Sequence, residues 1–259
     1  MAQNKPITDW KDRRVWIIGA STGIGAALAD LLAEKGARLA LSARRAGPLE
    51  EMAKRYGAGR AIAAPLDITD AAALVAATKR IAAQWGGIDV VVFMAGDYAP
   101  MHAWDIDLAA MRKMIEVNLV GFYNGLAAVV PQMLKQGDGM ISLVSSVAGY
   151  RGLPKSLVYG PTKAALINLA EALYLDLQPK GIGVTVINPG FVKTPLTANN
   201  EFRMPYLITP EEAALEIVRG FATGDFEIHF PKAFSKKLKL LRHLSYGLYF
   251  AAVRSFLKA

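Results

Sequence analysis

The chain has 259 residues, 53% of them hydrophobic and 20% charged, with a formal net charge of +8. This balance excludes a disordered chain and suits one α/β domain over residues 1–259 better than two. With no cysteine, disulfides, thiolate metal sites and thiol nucleophiles are excluded, and His102, His229 and His243 lack metal-ligand spacing, so no metal is expected. Met1 to Trp10 is polar, unlike a signal peptide, and no apolar run reaches the roughly 18 residues of a membrane span, so a cytoplasmic location is the default expectation. The positive charge favours anionic partners such as phosphates, acidic lipid surfaces or nucleic acid, and the chain carries no recognisable nucleic-acid motif.

In chain order, β-branched or apolar runs alternate with Ala/Leu-rich helical stretches. Strands are predicted at Arg14–Gly19, Arg38–Ala43, Arg60–Leu66, Asp89–Met94, Met140–Ser145, Gly183–Asn188 and Asp225–Phe230, the last being the weakest pattern. Helices are predicted at Ile24–Lys35, Pro48–Arg55, Ala71–Gln84, Leu108–Lys135, Ser156–Leu177 and Pro210–Phe221. Such alternation implies a doubly wound, mostly parallel seven-stranded sheet with helices on both faces. Gly36, Gly57, Gly86 and Gly137 stand where helices should stop, while Asp70, Asp107 and Thr209 stand where N-caps are wanted, with Pro210 in a first turn. Pro131 should kink or divide the long helix that contains it, and Pro161 requires its own helix to begin only shortly before Tyr159.

After the first strand comes Gly19-Ala20-Ser21-Thr22-Gly23-Ile24-Gly25, a strand–turn–helix context in which free backbone N–H groups and the positive helix end attract a pyrophosphate. A glycine-rich turn without a ligand is the bland alternative. The second strand ends in Ala43-Arg44-Arg45 instead of an acid, so Arg44 suits a 2′-phosphate, with Ser21 adding a contact, unless both arginines are only solvated loop charges. The cofactor expected on these grounds is NADP. Tyr159-Gly160-Pro161-Thr162-Lys163 is a YxxxK element, of which nine tyrosines and sixteen lysines would give about half of one by chance. Its weight comes from position, because it follows the fifth strand and Ser146 precedes Tyr159 by thirteen residues. Four apart on a helix, Tyr159 and Lys163 share a face, so the ammonium is expected to lower the phenol below its usual value of about 10 for general acid–base work. Ser146, at a strand's carboxyl end, suits donation to a substrate oxygen on which charge develops.

Together these motifs, over about residues 12 to 230, resemble the short-chain dehydrogenase/reductase family. The resemblance implies a Rossmann-type three-layer sandwich, hydride transfer between a nicotinamide and a ketone, aldehyde or secondary alcohol, and a homodimer or homotetramer built on the two long helices. It implies Ser146, Tyr159, Lys163 and Asn118 as the catalytic set, with Lys163 also holding the nicotinamide ribose and Asn118 holding a water. A buried asparagine satisfying helix carbonyls is the other reading of Asn118. On the cofactor it implies the glycine turn (Gly19, Ser21, Gly23, Ile24, Gly25) with Asp67 and Ile68 at the adenine, Ala95 and Gly96 beside the adenosine half, and Pro189, Val192 and Thr194 at the carboxamide. Asp67 equally suits an Asx turn. The chain departs from the family pattern at Ile18, where a threonine is usual, and at Met94, where an asparagine is usual.

Leu196, Phe202, Met204, Tyr206 and Leu207 make residues 195–208 an expected substrate lid, and with Tyr98, Tyr150, Leu153 and Phe191 they suggest an apolar substrate. From Lys232 to Ala259 the chain turns basic and apolar together. Such an amphipathic tail either covers the pocket or a partner subunit or lies peripherally on an anionic membrane. A non-catalytic NADP(H)-binding sensor on the same fold is the rival reading of the whole.

Overall fold

A computed structural model describes residues 2–198 and 204–258, with the side chains of 256–258 outside that description. The strands β1 (Arg14–Ile18), β2 (Arg38–Ser42), β3 (Ala61–Ala63), β4 (Val90–Phe93), β5 (Gly139–Val144), β6 (Ile182–Pro189) and β7 (Glu227–Phe230) form one sheet in the order β3-β2-β1-β4-β5-β6-β7. Every pairing is parallel. The weakest strand pattern thus corresponds to β7. The third strand is shorter than predicted, ending before Pro65, although Ala64 and Leu66 still donate to Leu41 and Ala43 carbonyls at 2.9 and 3.1 Å; the nitrogen of Pro65 faces the open edge, where no donor is needed.

Alternation along β1 shows how both faces are filled. Trp16 and Ile18 point into a core with Phe93, Phe122 and Leu166, while Val15 and Ile17 point into a second with Leu28, Leu32 and Ile217. The first core is covered by α3 (Ala71–Trp85), α5 (Gly121–Gln136) and α6 (Tyr159–Leu177), the second by α1 (Gly23–Glu34), α2 (Ala46–Tyr56) and α7 (Pro210–Thr223). Helix ends follow the sequence signals. Asp70 accepts from Ala73, Asp107 accepts from Ala109 and Ala110, and Thr209 forms a capping box with Glu212.

The predicted helix Leu108–Lys135 is interrupted, but not at Pro131. It consists of α4 (Leu108–Ile115), a π-helical turn at Glu116–Val120 and α5, inside which Pro131 sits without dividing it. The break falls at Asn118, whose side chain is drawn out of the helix toward a neighbouring loop. Pro161 is the third residue of α6, among the first four N–H positions that have no intrahelical acceptor, so its ring is tolerated there. The chain ends in α8 (Lys232–Arg242) and α9 (Tyr246–Lys258).

β1 lies between β2 and β4, and the chain reverses its direction of strand addition there. Such a switch point leaves a crevice outside the carboxyl ends of the strands. Residues 19–25, 94–97, 145–149 and 189–194 all leave strands or enter helices at that edge.

Candidate functional site

Three glycines shape the turn between β1 and α1 for three separate reasons. Gly19 has φ +109°, and a Cβ on it would stand 2.6 Å from the Ala95 nitrogen. A Cβ on Gly25 would stand 2.0 Å from the Gly19 carbonyl oxygen, and Gly23 has φ +58° with the Thr194 methyl 3.0 Å from its Cβ position. The turn is therefore packed on the Ala95 main chain on one side and on the Thr194 side chain on the other. Thr22 takes the N-cap position in extended conformation, yet its side chain makes no capping bond, so the N–H groups of Gly23, Ile24 and Gly25 face the crevice uncapped by it. Ser21 lies half-buried beside them. The missing threonine hydroxyl at Ile18 has an apolar replacement, since Ile18 is buried against Trp16 and Phe93 in the core. Met94 likewise stands partly buried against the core on the α1 face, so packing supports the strand end that an amide usually supports.

At the end of β2, Ser42 is buried and joins three strands, accepting from Trp16 Nε1 at 2.9 Å and donating to the Ala64 carbonyl at 2.7 Å. That anchor fixes the next three residues at the crevice rim. Arg44 and Arg45 are exposed, and neither has an ion pair among the described residues. Asp67 is engaged in its own turn, with Oδ1 accepting from the Thr69 N–H and hydroxyl, both at 2.9 Å. Ile68 turns away from the crevice into the core, where its Cγ2 would meet a Cβ on Gly121 at 2.8 Å. As an adenine contact Ile68 has its main chain to offer.

The expected catalytic side chains converge across three elements. Ser146 follows β5 and caps a 3₁₀ turn at Val147–Gly149, its hydroxyl accepting from Ala148 at 3.1 Å and donating to the Pro189 carbonyl at 3.4 Å. The same hydroxyl lies near the Tyr159 phenol and favours its ionised form. Lys163, one turn along α6, is buried, with Nζ donating to the Val144 carbonyl at 3.0 Å and lying 5.5 Å from the Tyr159 ring centre. Its Nζ and Asn118 Oδ1 stand 3.8 and 3.7 Å from the Cβ position of Gly96. Gly96 is thus the floor between them, and Val192, buried, and Thr194 close the far side. Asn118 is fully buried and stitches the loop after β4 to α6. Its Oδ1 accepts from Asp97 N at 2.7 Å, and its Nδ2 donates to Asp97 O at 2.8 Å and Thr162 Oγ1 at 3.3 Å. Among the described residues the carbonyl its amide satisfies belongs to a loop, not to a helix.

Protonation in this chain runs against the expected acidification of tyrosine. Burial pushes the Tyr159 phenol up to about 12, with the Ser146 hydroxyl pulling the other way. Burial also pulls the Lys163 ammonium down to about 7. The lysine aims its proton donors at a carbonyl and is itself stripped of solvent, so it does not offset the phenol's desolvation. Tyr98 packs edge-on against Tyr159, ring centres 5.0 Å apart, and burial raises its phenol too.

Several residues that sequence reasoning passed over hold this geometry. Ser145 donates to the Lys163 carbonyl at 2.6 Å, and a Cβ on Gly149 would meet Lys163 main chain at 2.7 Å. Both sit next to a motif residue, but nothing in the spacing marks them. Tyr150 does not line the substrate pocket as expected. Its hydroxyl donates to Glu227 at 2.5 Å, and Glu227 also accepts from Asn188 and from Lys239 of α8, so the ring is held in the core between β6, β7 and the tail. Phe191 stacks on Phe234 of α8 at 5.4 Å, and Tyr206 of the expected lid stacks on the same ring at 6.0 Å. Leu196 and Leu207 are exposed and Met204 is half-buried, while Phe202 lies outside the described residues.

Residues 13–204 match the short chain dehydrogenase family. An uncharacterized oxidoreductase of Myxococcus xanthus is 36% identical over 244 residues, 93% of this chain and 96% of that protein. An uncharacterized oxidoreductase of Staphylococcus saprophyticus is 30% identical over 211 residues, 80% of this chain and 90% of its own length. Among solved structures, a short-chain dehydrogenase from Streptomyces avermitilis is similar at TM-score 0.79 and 25% identity, covering 96% of both chains. One from Burkholderia cenocepacia, in complex with NADP, is similar in fold at TM-score 0.83 and 24% identity, covering 95% of this chain and 99% of its own. On the strength of these matches, this chain belongs to the short-chain dehydrogenase family, oxidoreductases that work with a nicotinamide cofactor.

Proposed function

We propose that this protein is an NADP(H)-dependent oxidoreductase that interconverts an apolar ketone or aldehyde with its alcohol, using Ser146, Tyr159 and Lys163. The observation that carries the reading is the convergence of buried Ser146 and Lys163 on Tyr159, with Lys163 Nζ 5.5 Å from its ring centre, beside a glycine turn that a side chain would fill. The residues present fit a dinucleotide. The uncapped N–H groups at Gly23–Gly25 suit the pyrophosphate, unpaired Arg44 with Ser21 suits a 2′-phosphate, and Asp67 with the Ile68 main chain suits the adenine end. Ala95 and Gly96 suit the adenosine half, and Pro189, Val192 and Thr194 suit the nicotinamide carboxamide. Bound there, the nicotinamide supplies the hydride.

The chain's own task is the proton and the oxygen. Ser146 donates to the substrate oxygen once its bond to the Pro189 carbonyl, at 3.4 Å, is exchanged. Tyr159, held protonated by burial at neutral pH, gives its proton to that oxygen as charge develops on it. Lys163, at about 7, is charged or neutral with little free-energy difference near neutral pH, so it can stabilise the phenolate and return the proton. Asn118 keeps Asp97 and Thr162 in place, a positioning role consistent with the water its family counterpart holds.

Tyr98 over Tyr159, with Leu196, Tyr206 and Leu207 on the lid, supports an apolar substrate. Exposed Tyr123 and Leu134 on α5 and Leu175 on α6 support packing between copies as a homodimer or homotetramer. The test is a melting panel with NADP⁺ and NAD⁺ beside NADPH oxidation with apolar carbonyls. NADP⁺ is expected to give the larger shift, with turnover of at least one carbonyl. A larger shift with NAD⁺, or cofactor binding without turnover, contradicts the reading.

A further inference from the structure

We infer that residues 232–258 form a docking surface for an anionic lipid bilayer. Residues 232–259 hold seven lysines and arginines and not one aspartate or glutamate, so seven of the chain's eight net positive charges lie there and the remaining 231 residues are nearly neutral. On α8, Lys232, Lys236 and Arg242 are exposed together with Leu240, at 69% exposure. On α9, Tyr246, Leu248 and Phe250 are 73, 61 and 50% exposed, with Tyr246 stacked on Phe250 and Arg254 a turn further on. Exposed aromatic and aliphatic side chains among cations, with no anion, match acidic headgroups over acyl chains. A second copy fits poorly, because a self-complementary contact would bring two such cationic segments together. At 13 residues α9 is about 20 Å long, too short for a hydrocarbon core of about 30 Å, so it lies on the bilayer and does not cross it.

The surface is seated. Arg151 donates to the carbonyls of Leu241 and Leu244 at 2.9 and 2.8 Å and lies 3.9 Å over the Tyr249 ring, whose hydroxyl donates to Gly152 at 2.6 Å. α8 also holds Tyr206, which stacks on Phe234 and accepts from exposed Lys237 Nζ at 2.7 Å through its hydroxyl. Docking through the exposed cations, Lys237 among them, therefore brings Tyr206 close to the lipid surface, where an apolar carbonyl or alcohol dissolved in the bilayer reaches the cleft. This second step rests on the oxidoreductase reading and vesicle binding does not, so the two fail separately.

The experiment is flotation of the full chain with vesicles of phosphatidylcholine alone and of phosphatidylcholine with phosphatidylglycerol, at low and high salt. Binding is expected to the anionic vesicles only and to fall with salt. Lys236→Gln with Arg254→Gln should weaken it about fivefold per cation removed, and Leu248→Asp with Phe250→Asp at least about tenfold, both with unchanged melting temperature. Turnover of a long-chain carbonyl carried in anionic vesicles should fall in the Leu248→Asp/Phe250→Asp protein, while that of a water-soluble carbonyl stays. The salt dependence of the unmodified chain keeps the test open should a variant fail to fold. No binding, equal binding to neutral vesicles, or binding indifferent to salt and to both variants overturns the inference. So does self-association lost with Leu248→Asp/Phe250→Asp, which assigns the face to a second copy, or oligonucleotide binding lost with Lys236→Gln/Arg254→Gln in a chain that does not bind vesicles, which assigns it to nucleic acid.

Discussion

Gly149 and Lys163 touch through their main chains. A Cβ on Gly149 would lie 2.7 Å from the Lys163 carbonyl carbon and 2.8 Å from its oxygen. The turn that carries Ser146 is thus pressed onto the helix that carries Tyr159 and Lys163, and Ser145 locks the contact through its bond to the same carbonyl. Because backbone, not a flexible side chain, stands in the way, Gly149→Ala should cost about 1–3 kcal/mol and lower turnover by moving Ser146 from Tyr159. Gly47→Ala is the control. Nothing stands within 4 Å of that site at the start of α2, and its melting temperature should hold or rise. Equal melting temperatures for the two variants would remove the close approach as a design element.

Buried Lys163 makes stability depend on pH with a definite sign. Its folded value of about 7 lies below the ordinary 10.5, so between those values the unfolded chain holds a proton that the folded chain lacks. Wild-type stability should therefore rise with pH through that window, and the penalty is complete at and below about pH 7. Lys163→Met removes the titrating group. Its melting temperature relative to wild type should be most favourable near or below pH 7 and lose that advantage toward pH 10, while turnover disappears. A difference that does not vary with pH would contradict this account of the lysine.

Cofactor choice rests on Arg44. Charge-assisted hydrogen bonds of about 1.5–3 kcal/mol correspond to roughly ten- to a hundredfold in affinity, so Arg44→Ala should weaken NADPH by that factor and leave NADH almost unchanged. Adding Ala43→Asp should restore an acceptor for ribose hydroxyls and turn the preference toward NADH. Titration of both nucleotides against the three proteins reads this out directly. NADPH affinity indifferent to Arg44 would return that residue to an ordinary exposed charge.

Much of this was legible in the sequence where a local rule has a local cause. The strands, the caps at Asp70, Asp107 and Thr209, and the start of α6 at Tyr159 before Pro161 follow from period, capping chemistry and the proline N–H. What escaped depends on contacts between distant segments. The break at Asn118 arises because its amide binds Asp97 and Thr162 across the cleft, so Pro131, the visible irregularity, was the wrong one to read. Tyr150 was mistaken for a pocket residue because its partner, Glu227, lies 77 residues on. Acidification of Tyr159 followed from helix spacing alone, while burial, which spacing does not report, pushes the phenol the other way.

Asn118 also predicts a stability effect separable from chemistry. Replacing it by leucine leaves the Asp97 N–H and carbonyl without this partner in a half-buried place, at a cost of about 1–3 kcal/mol in all. Urea unfolding should show a lower midpoint, with hydrogen exchange at Asp97 faster than in wild type. Unchanged exchange there would mean that the loop is held by other contacts.

The central claim, that Tyr159 hands a proton to a substrate oxygen beside Ser146, is tested most directly by Tyr159→Phe. This change removes one hydroxyl and leaves the ring against Tyr98. NADPH titration and NADPH-dependent reduction of an apolar carbonyl should be measured on both proteins. The account predicts NADPH binding within a small factor of wild type and turnover lower by about 10²- to 10⁴-fold. Turnover equal to that of the wild type would contradict it.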